Sequence, residues 1–251
     1  MCTLTLIPKE DGFLAGMNRD ELLTRETALP PEVFVRNGVH TLYPREPNGG
    51  TWIACNERRT LFALLNLSSA DRAASTKAKK SRGTIIPELA QQEDSGGASQ
   101  ALEEFSLADV LPFRLIGVFA KEKSVLEWRW DGEELRALRG GWVARHWFSS
   151  SLSDRLAEEG RNAACSKAWQ EPGAGGAEWL RRLHQSHVPA PGPFSVCVHR
   201  VDAATVSYTE VRCAGTQISM SYVQGNPCLK TALEETASLS QVQVSAPAIP
   251  T

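Results

Sequence analysis

The sequence predicts an α+β fold built on mainly antiparallel sheets. Strand-like segments, about ten, fall mostly into hairpin pairs, which is antiparallel connectivity. Helical segments gather in separate blocks instead of alternating with strands, which suits α+β layering and not βαβ units. No G-x-G-x-x-G, Walker A motif or internal repeat occurs that would point to another architecture.

The elements follow in chain order. Residues 2–7, CTLTLI, are apolar and β-branched and read as a strand; a turn at Lys9 to Gly12 leads to its hairpin partner, FLAGMN at 13–18. TWIAC at 51–55 and TLFALLN at 60–66 form a second pair around Asn56 to Arg59. Ser68 to Gly83 is polar and carries Lys77, Lys79, Lys80 and Arg82, a solvated loop whose sharper alternative is an anion-binding patch. Helical patterns at about 84–93 and 100–111 are split by a loop at Asp94 to Gly97. FRLIGVFA at 113–120 and VLEWRW at 125–130 read as strands. Asp131-Gly132 is a two-residue hairpin signal between VLEWRW and EELRAL. Period-two alternation puts Trp128 and Trp130 on one face, as core packing. GWVARHWF at 141–148 is a further strand, and Ser151 or Ser153 caps a helix through about 169. A Gly-rich loop at 173–176 precedes a helix at about 177–186, and strands follow at 194–199, 205–211 and 216–223.

The chain has 251 residues and is 42% apolar, with 27 Lys and Arg against 29 Asp and Glu. That supports one layered domain over 1–235, with 236–251 as a loose tail. The near-neutral balance provides no field for nucleic acid. No apolar run is long enough for a membrane helix. The start MCTLTLIPKEDG lacks a basic segment followed by a longer apolar one, so no secretory signal is expected and the location is read as cytoplasmic. The six cysteines are scattered without a C-x-x-C pair, which argues against a disulfide framework, a zinc ribbon and covalent haem. Cys55, Cys165, Cys213 and Cys228 read as small buried apolar residues. His184 and His187 sit at a helix end, where stabilisation of the helix C-terminus is the favoured reading. Cys197 and His199 share a strand face and read as core, with iron ligation the weaker alternative. The expected metal set is none.

Cys2 differs from the others because of its position. Removal of Met1 would leave it a free α-amine, ordinarily of pKa about 7.7–8.0, able to take the thiol proton. Nucleophile and base then belong to one residue. Such a site needs a cation near the thiolate, an anion for the ammonium and donors for an oxyanion. The returning strand brings Asn18, Arg19, Asp20 and Glu21 back beside Cys2. Neighbouring strand residues point to opposite faces, so Arg19 and Asp20 reach one site only at a bulge or strand end.

Met-Cys-Thr, Asn18-Arg19-Asp20-Glu21, Gly49-Gly50-Thr51-Trp52 and Leu64-Leu65-Asn66 together resemble the NRDE-domain family of transport-and-Golgi-organisation proteins, over roughly residues 1–230. Ser81-Arg82-Gly83 and the Ser149-to-Asp154 segment look like further blocks of that family. More distantly the layout is similar to the N-terminal-nucleophile hydrolases of bile-salt and penicillin amides. The resemblance implies a four-layer αββα fold and catalytic roles for Cys2, Arg19, Asp20 and Asn66. It also implies a substrate-binding set of Asn18, Glu21, Gly50, Trp52 and Ser150. Ser150 stands where those hydrolases place a second oxyanion asparagine, which bears against full amidase activity, and Arg200 and Arg212 are candidates for their later arginine. The implied function is a hydrolase or acyltransferase on a linear amide or thioester, with no cofactor required. The alternative is a non-catalytic chaperone for haem or an acyl-type ligand.

Overall fold

A hairpin with its apolar residues in alternation starts the fold. In the computed structural model, which describes residues 2–67, 80–229 and 233–240, strand β1 (Cys2–Lys9) turns directly into β2 (Gly12–Leu22). Leu4, Leu6, Phe13, Ala15 and Met17 lie on one buried face, and Ile7 and Leu14 on the other. Gly12 closes the turn at φ +136°, and a Cβ there would lie 2.0 Å from the carbonyl oxygen of Cys213. Only glycine fits both that conformation and that contact.

The strands that follow are β3 (Leu29–Arg36), β4 (Val39–Arg45), β5 (Ile53–Asn56) and β6 (Thr60–Asn66). Helices α1 (Ile85–Leu89) and α2 (Ser95–Glu104) come next, after a short 3-10 turn at Arg82–Thr84. Then come β7 (Phe113–Phe119), β8 (Ser124–Trp130), β9 (Leu135–Gly140) and β10 (Arg145–Ser149). Helices α3 (Asp154–Ala168) and α4 (Ala177–His184) precede β11 (Ala203–Ala214), β12 (Gln217–Gln224) and β13 (Leu233–Ser240).

Two antiparallel sheets result. One runs β10-β1-β2-β11-β12-β13 and the other β3-β4-β5-β6-β7-β8-β9. Their facing sides enclose a core that includes Leu4, Leu6 and Met17 from the first sheet and Ile53, Leu61 and Ile116 from the second. Burying each such side chain is worth about 1.5–3 kcal/mol. α3 and α4 cover the outer face of the first sheet through Cys165, Trp179 and Leu180. α1 and α2 cover the outer face of the second through Ile85, Leu89 and Leu102. The layers are therefore αββα. Trp128 and Trp130 share the α1/α2 side as core residues, as the alternation requires.

Several elements differ from the sequence reading. Asp94 to Gly97 is not a loop: Asp94 caps α2, its side chain accepting from Gly97 N at 2.7 Å, so the helix begins five residues earlier. Ser153, not Ser151, caps α3. β3 was not anticipated, because Pro30 and Pro31 interrupt a strand pattern; it survives as an edge strand, where missing donors cost least. Residues 194–199 form no regular strand and carry only the isolated bridges Gly192–Val198 and His199–Ala204. β13 extends the first sheet to Ser240, past the boundary expected at 235. Ser68 to Lys79, most of the expected cationic loop, lies outside the described residues, as does the tail from 241. No helix among the described residues is long and apolar enough to cross a membrane.

Candidate active site

Cys2 is the first residue of β1, and β1 has a partner on each side. It faces Arg19 across the ladder with β2 and Ser149 across the ladder with β10. Directly opposed residues of an antiparallel pair share a face, so Arg19 and Cys2 both look toward the second sheet. Asp20 should look the other way. The ladder between β2 and β11 is irregular at this place: Thr205 pairs with Asp20 and Ser207 with Arg19, leaving Val206 as an extra residue. The extra residue lies in β11, so β2 keeps its alternation. Arg19 and Asp20 both border the pocket that holds Cys2, but the Asp20 carboxylate is directed to Arg161 and Thr205.

That pocket, of about 100 Å3, also takes Glu21, Trp52 and Asn66. Asn66 arrives from the end of β6 in the opposite sheet. Arg19 is fixed on three sides. Its guanidinium lies over the Trp52 ring at 4.6 Å, and Nη2 meets Glu46 Oε1 at 2.5 Å and Glu21 Oε2 at 3.5 Å. A larger adjoining cavity of about 350 Å3 shares Arg19 and Glu21 and is walled by Leu22, Leu23, Val206 and Tyr222.

On the other side of β1 sits Arg161, fully buried on α3. It donates to the carbonyls of Cys2 (3.2 Å), Ser149 (3.3 Å) and Ser195 (3.1 Å), and to Thr3 Oγ1 (2.9 Å). Its Nη2 pairs with Asp20 Oδ2 at 3.4 Å, while Thr205 donates to Asp20 Oδ1 at 2.6 Å. Asp20 is thus occupied, and the Cys2 nitrogen donates instead to Ser149 Oγ at 2.9 Å.

Burial pushes the Cys2 thiol above its ordinary value and outweighs the lowering by Arg19 expected from sequence. Burial likewise raises the Asp20 carboxyl against the pull of Arg161. Arg82, also on the pocket wall, is held below the usual arginine range by burial, with Cys2 and Glu21 acting in the opposite direction. A neutral thiol beside two guanidinium groups is a nucleophile that needs a base.

Three of the predicted binding residues are placed elsewhere. Asn18 pairs with Thr3 on the opposite face and gives its amide to the carbonyls of His184 and Val196, both at 2.9 Å. Ser150 accepts from Leu152 N and Ser153 N and shapes the entry to α3. Gly50 does not border the Cys2 pocket and packs against backbone, where a Cβ would come 3.3 Å from Gly83. Arg200 pairs with Asp202 and Arg212 with Glu210, and neither lines the Cys2 pocket. His184 is buried between Asn18 and Thr5, its pKa lowered by burial to about 3. It is neutral near pH 7, so charge stabilisation of the helix end does not apply. Cys55, Cys165 and Cys213 are buried as expected, whereas Cys228 is only half-buried.

Sequence reasoning missed Arg161, Ser149, Thr205 and Glu46. Arg161 had a signal: it occupies the stripe of Ala157, Ala164, Cys165 and Ala168 on the buried face of α3, where a charge needs partners.

A family model described as Transport and Golgi organisation 2 matches residues 1–170. Among curated proteins, none matches the sequence. Among solved structures the chain is similar to a penicillin V acylase from Agrobacterium tumefaciens, at TM-score 0.54 and 9% identity, over 96% of this chain and 86% of that one. It is also similar to a mutant conjugated bile acid hydrolase from Clostridium perfringens, at TM-score 0.51 and 12% identity, over 96% and 92%. At such identities the likeness establishes the fold alone, the αββα arrangement of the N-terminal-nucleophile hydrolases.

Proposed function

The chain belongs to the Transport and Golgi organisation 2 family, and on that premise we propose that it is an N-terminal-cysteine hydrolase or acyltransferase acting on a linear amide or thioester. The observation that carries this reading is the convergence of Cys2, Arg19 and Asn66 on one pocket from three strands of two sheets.

Removal of Met1 turns the Cys2 nitrogen into an α-amine held by Ser149. That amine takes the thiol proton, and the thiolate attacks the substrate carbonyl carbon. The oxyanion forms near Asn66, whose amide donates to it. The ammonium passes its proton to the departing nitrogen or sulfur, leaving a thioester on Cys2. Water, or another acceptor, then attacks that thioester, loses its proton to the amine and restores the thiol. Arg19 and Arg82 favour the thiolate; Asp20, anchored by Arg161 and Thr205, holds negative charge near the ammonium. The adjoining cavity walled by Leu22, Leu23 and Tyr222 suits the acyl group.

Asn66 is the one side-chain amide on the pocket wall among the described residues. Ser150 is turned into its loop and does not border the pocket; a site with one such donor is expected to turn over about 10²–10³ more slowly than one with two.

The test compares the processed chain with one carrying an extra residue before Cys2. Intact mass establishes the start, and iodoacetamide is followed by peptide mapping. Cys2 is expected to alkylate at least about tenfold faster at pH 7 when its amine is free. Equal rates in the two forms, or retention of Met1 in the cell, would overturn the reading.

A further inference from the structure

We propose that His187, Cys197, His199 and Cys228 form a zinc site, a closed centre of two cysteines and two histidines. Their donor atoms all lie within 4.8 Å of one another. The sequence hid this set. Its members come from three separate segments between positions 187 and 228, with no C-x-x-C or H-x-x-x-H spacing to announce them. For that reason the sequence predicts no metal, with Cys228 as a buried residue and Cys197 and His199 as core, iron ligation by that pair being the weaker alternative.

The backbone brings the segments together independently of any ion. Cys197 N donates to Ser186 O at 3.0 Å, tying the strand-like stretch to the segment after α4. His199 N donates to Gly192 O at 3.2 Å, and Leu229 N to Asn226 O at 3.0 Å closes the turn that presents Cys228.

A tetrahedral zinc with Zn–S about 2.3 Å and Zn–N about 2.0–2.1 Å spaces its donors about 3.3–3.8 Å apart. His199 Nε2 lies 3.5 Å from Cys228 Sγ and 3.9 Å from Cys197 Sγ. His187 Nε2 and His199 Nε2 are 2.9 Å apart, so that pair opens by about 0.4 Å around an ion. Two soft sulfurs with two imidazoles are a donor set that selects zinc over the hard divalent cations. Four protein donors fill the coordination sphere, so the site is structural.

Asn226 supplies the outer shell. Its amide oxygen is 3.0 Å from both sulfurs, and its nitrogen is 3.3 Å from His199 Nε2. In the thiol form the oxygen accepts from both S–H groups; with thiolates the amide turns to present its N–H donors. Binding exchanges one Zn2+ for the two thiol protons, and the resulting centre is neutral. The centre also communicates with the candidate active site. Val198, between two ligands, donates to Thr205 Oγ1 at 2.8 Å, and Thr205 donates to Asp20 Oδ1.

The experiment is a Co2+ titration of the full-length, tag-free chain, reduced with a phosphine, followed by Zn2+ competition. One equivalent of Co2+ should give the visible bands of a tetrahedral thiolate site and a sulfur charge-transfer band, both erased by one equivalent of Zn2+. The Cys197→Ser/Cys228→Ser double variant should lose the charge-transfer band, and Cys2→Ala should keep it. If the double variant fails to fold, His187→Ala serves instead. It is expected to weaken zinc binding by more than the 10–100-fold typical of an outer-shell partner. Absence of tetrahedral bands in the wild-type chain would overturn the site. So would bands that survive loss of Cys197 and Cys228, or that vanish with Cys2→Ala. None of these readouts depends on catalysis, so the zinc site stands or falls separately from the nucleophile.

Discussion

Arg19 Nη2 and Glu46 Oε1 are 2.5 Å apart, with Arg19 almost entirely buried and Glu46 largely so. Glu46 also meets Arg25 at 3.2 Å, so one carboxylate bridges two guanidinium groups on the pocket rim. Glu46→Gln should therefore release positive potential toward Cys2. The expected outcome is a several-fold rise in the rate of alkylation by iodoacetate relative to iodoacetamide, since only the former is anionic. An unchanged ratio would mean that Glu46 does not set the field at the thiol.

Arg161 and Asp20 form an ion pair with both side chains fully excluded from solvent. Removing one partner leaves the other charged and buried, at a cost of about 3–5 kcal/mol. Arg161→Met additionally strips donors from three backbone carbonyls. Urea unfolding of Arg161→Met should show a loss of that order, and of Asp20→Asn a smaller one, because the amide still accepts from Thr205. A loss of unfolding free energy below about 1 kcal/mol for Arg161→Met, on the scale of an exposed pair, would contradict this account.

Burial lowers the His184 pKa to about 3 from the ordinary 6.5. The unfolded chain then binds a proton between those values that the folded chain refuses. The stability that neutral His184 contributes is complete above pH 6.5 and is lost as pH falls, at about 1.4 kcal/mol per unit. His146, lowered by burial to about 4, acts in the same direction. Asp20, raised by burial, acts oppositely. Unfolding free energy measured from pH 7 to 4.5 should fall, and His184→Asn should flatten the slope by about the contribution of one proton. An identical slope in wild type and variant would rule this out.

Gly12→Ala is expected to be the most disruptive glycine substitution in the first hairpin. The Cβ would overlap the Cys213 carbonyl at 2.0 Å, on backbone already at φ +136°. A loss of about 3 kcal/mol or more, or failure to fold, follows from clash and strain together. Thermal denaturation of the purified variant checks it; a Tm within 2 °C of wild type, against the several degrees that a loss of about 1 kcal/mol produces, would count against the geometry.

What could be read from the residues was what periodicity encodes. The β1–β2 hairpin follows from alternation, the β8–β9 hairpin from Asp131-Gly132, and the convergence of Cys2 and Arg19 from the length of the first turn. Alternation also held the information that removes Asn18, which opposes Thr3 and so faces away from Cys2. Non-local pairing was not legible. Residues 194–199 alternate like a strand, yet the ladder positions beside β2 are taken by β11, leaving Val196 to Val198 between isolated bridges. β13 reads as polar and featureless because it is an exposed edge whose partner, β12, supplies the order. Arg161 and Glu46 lie 159 and 44 residues from Cys2, and only the layered packing brings them to its two sides.

β1 occupies an interior position in its sheet, although it is synthesised before every strand it pairs with. Its hairpin partner follows at once, but Ser149 leaves the ribosome only after nearly 150 residues. At about 5–20 residues per second, the nascent chain holds one flank of Cys2 open for roughly 7–30 s. Any trimming that exposes the Cys2 amine has that interval in which to act. Once β10 docks, the Cys2 nitrogen donates to Ser149 and Cys2 is buried. If Met1 is removed as proposed, sheet order sets the interval in which that removal meets an open Cys2.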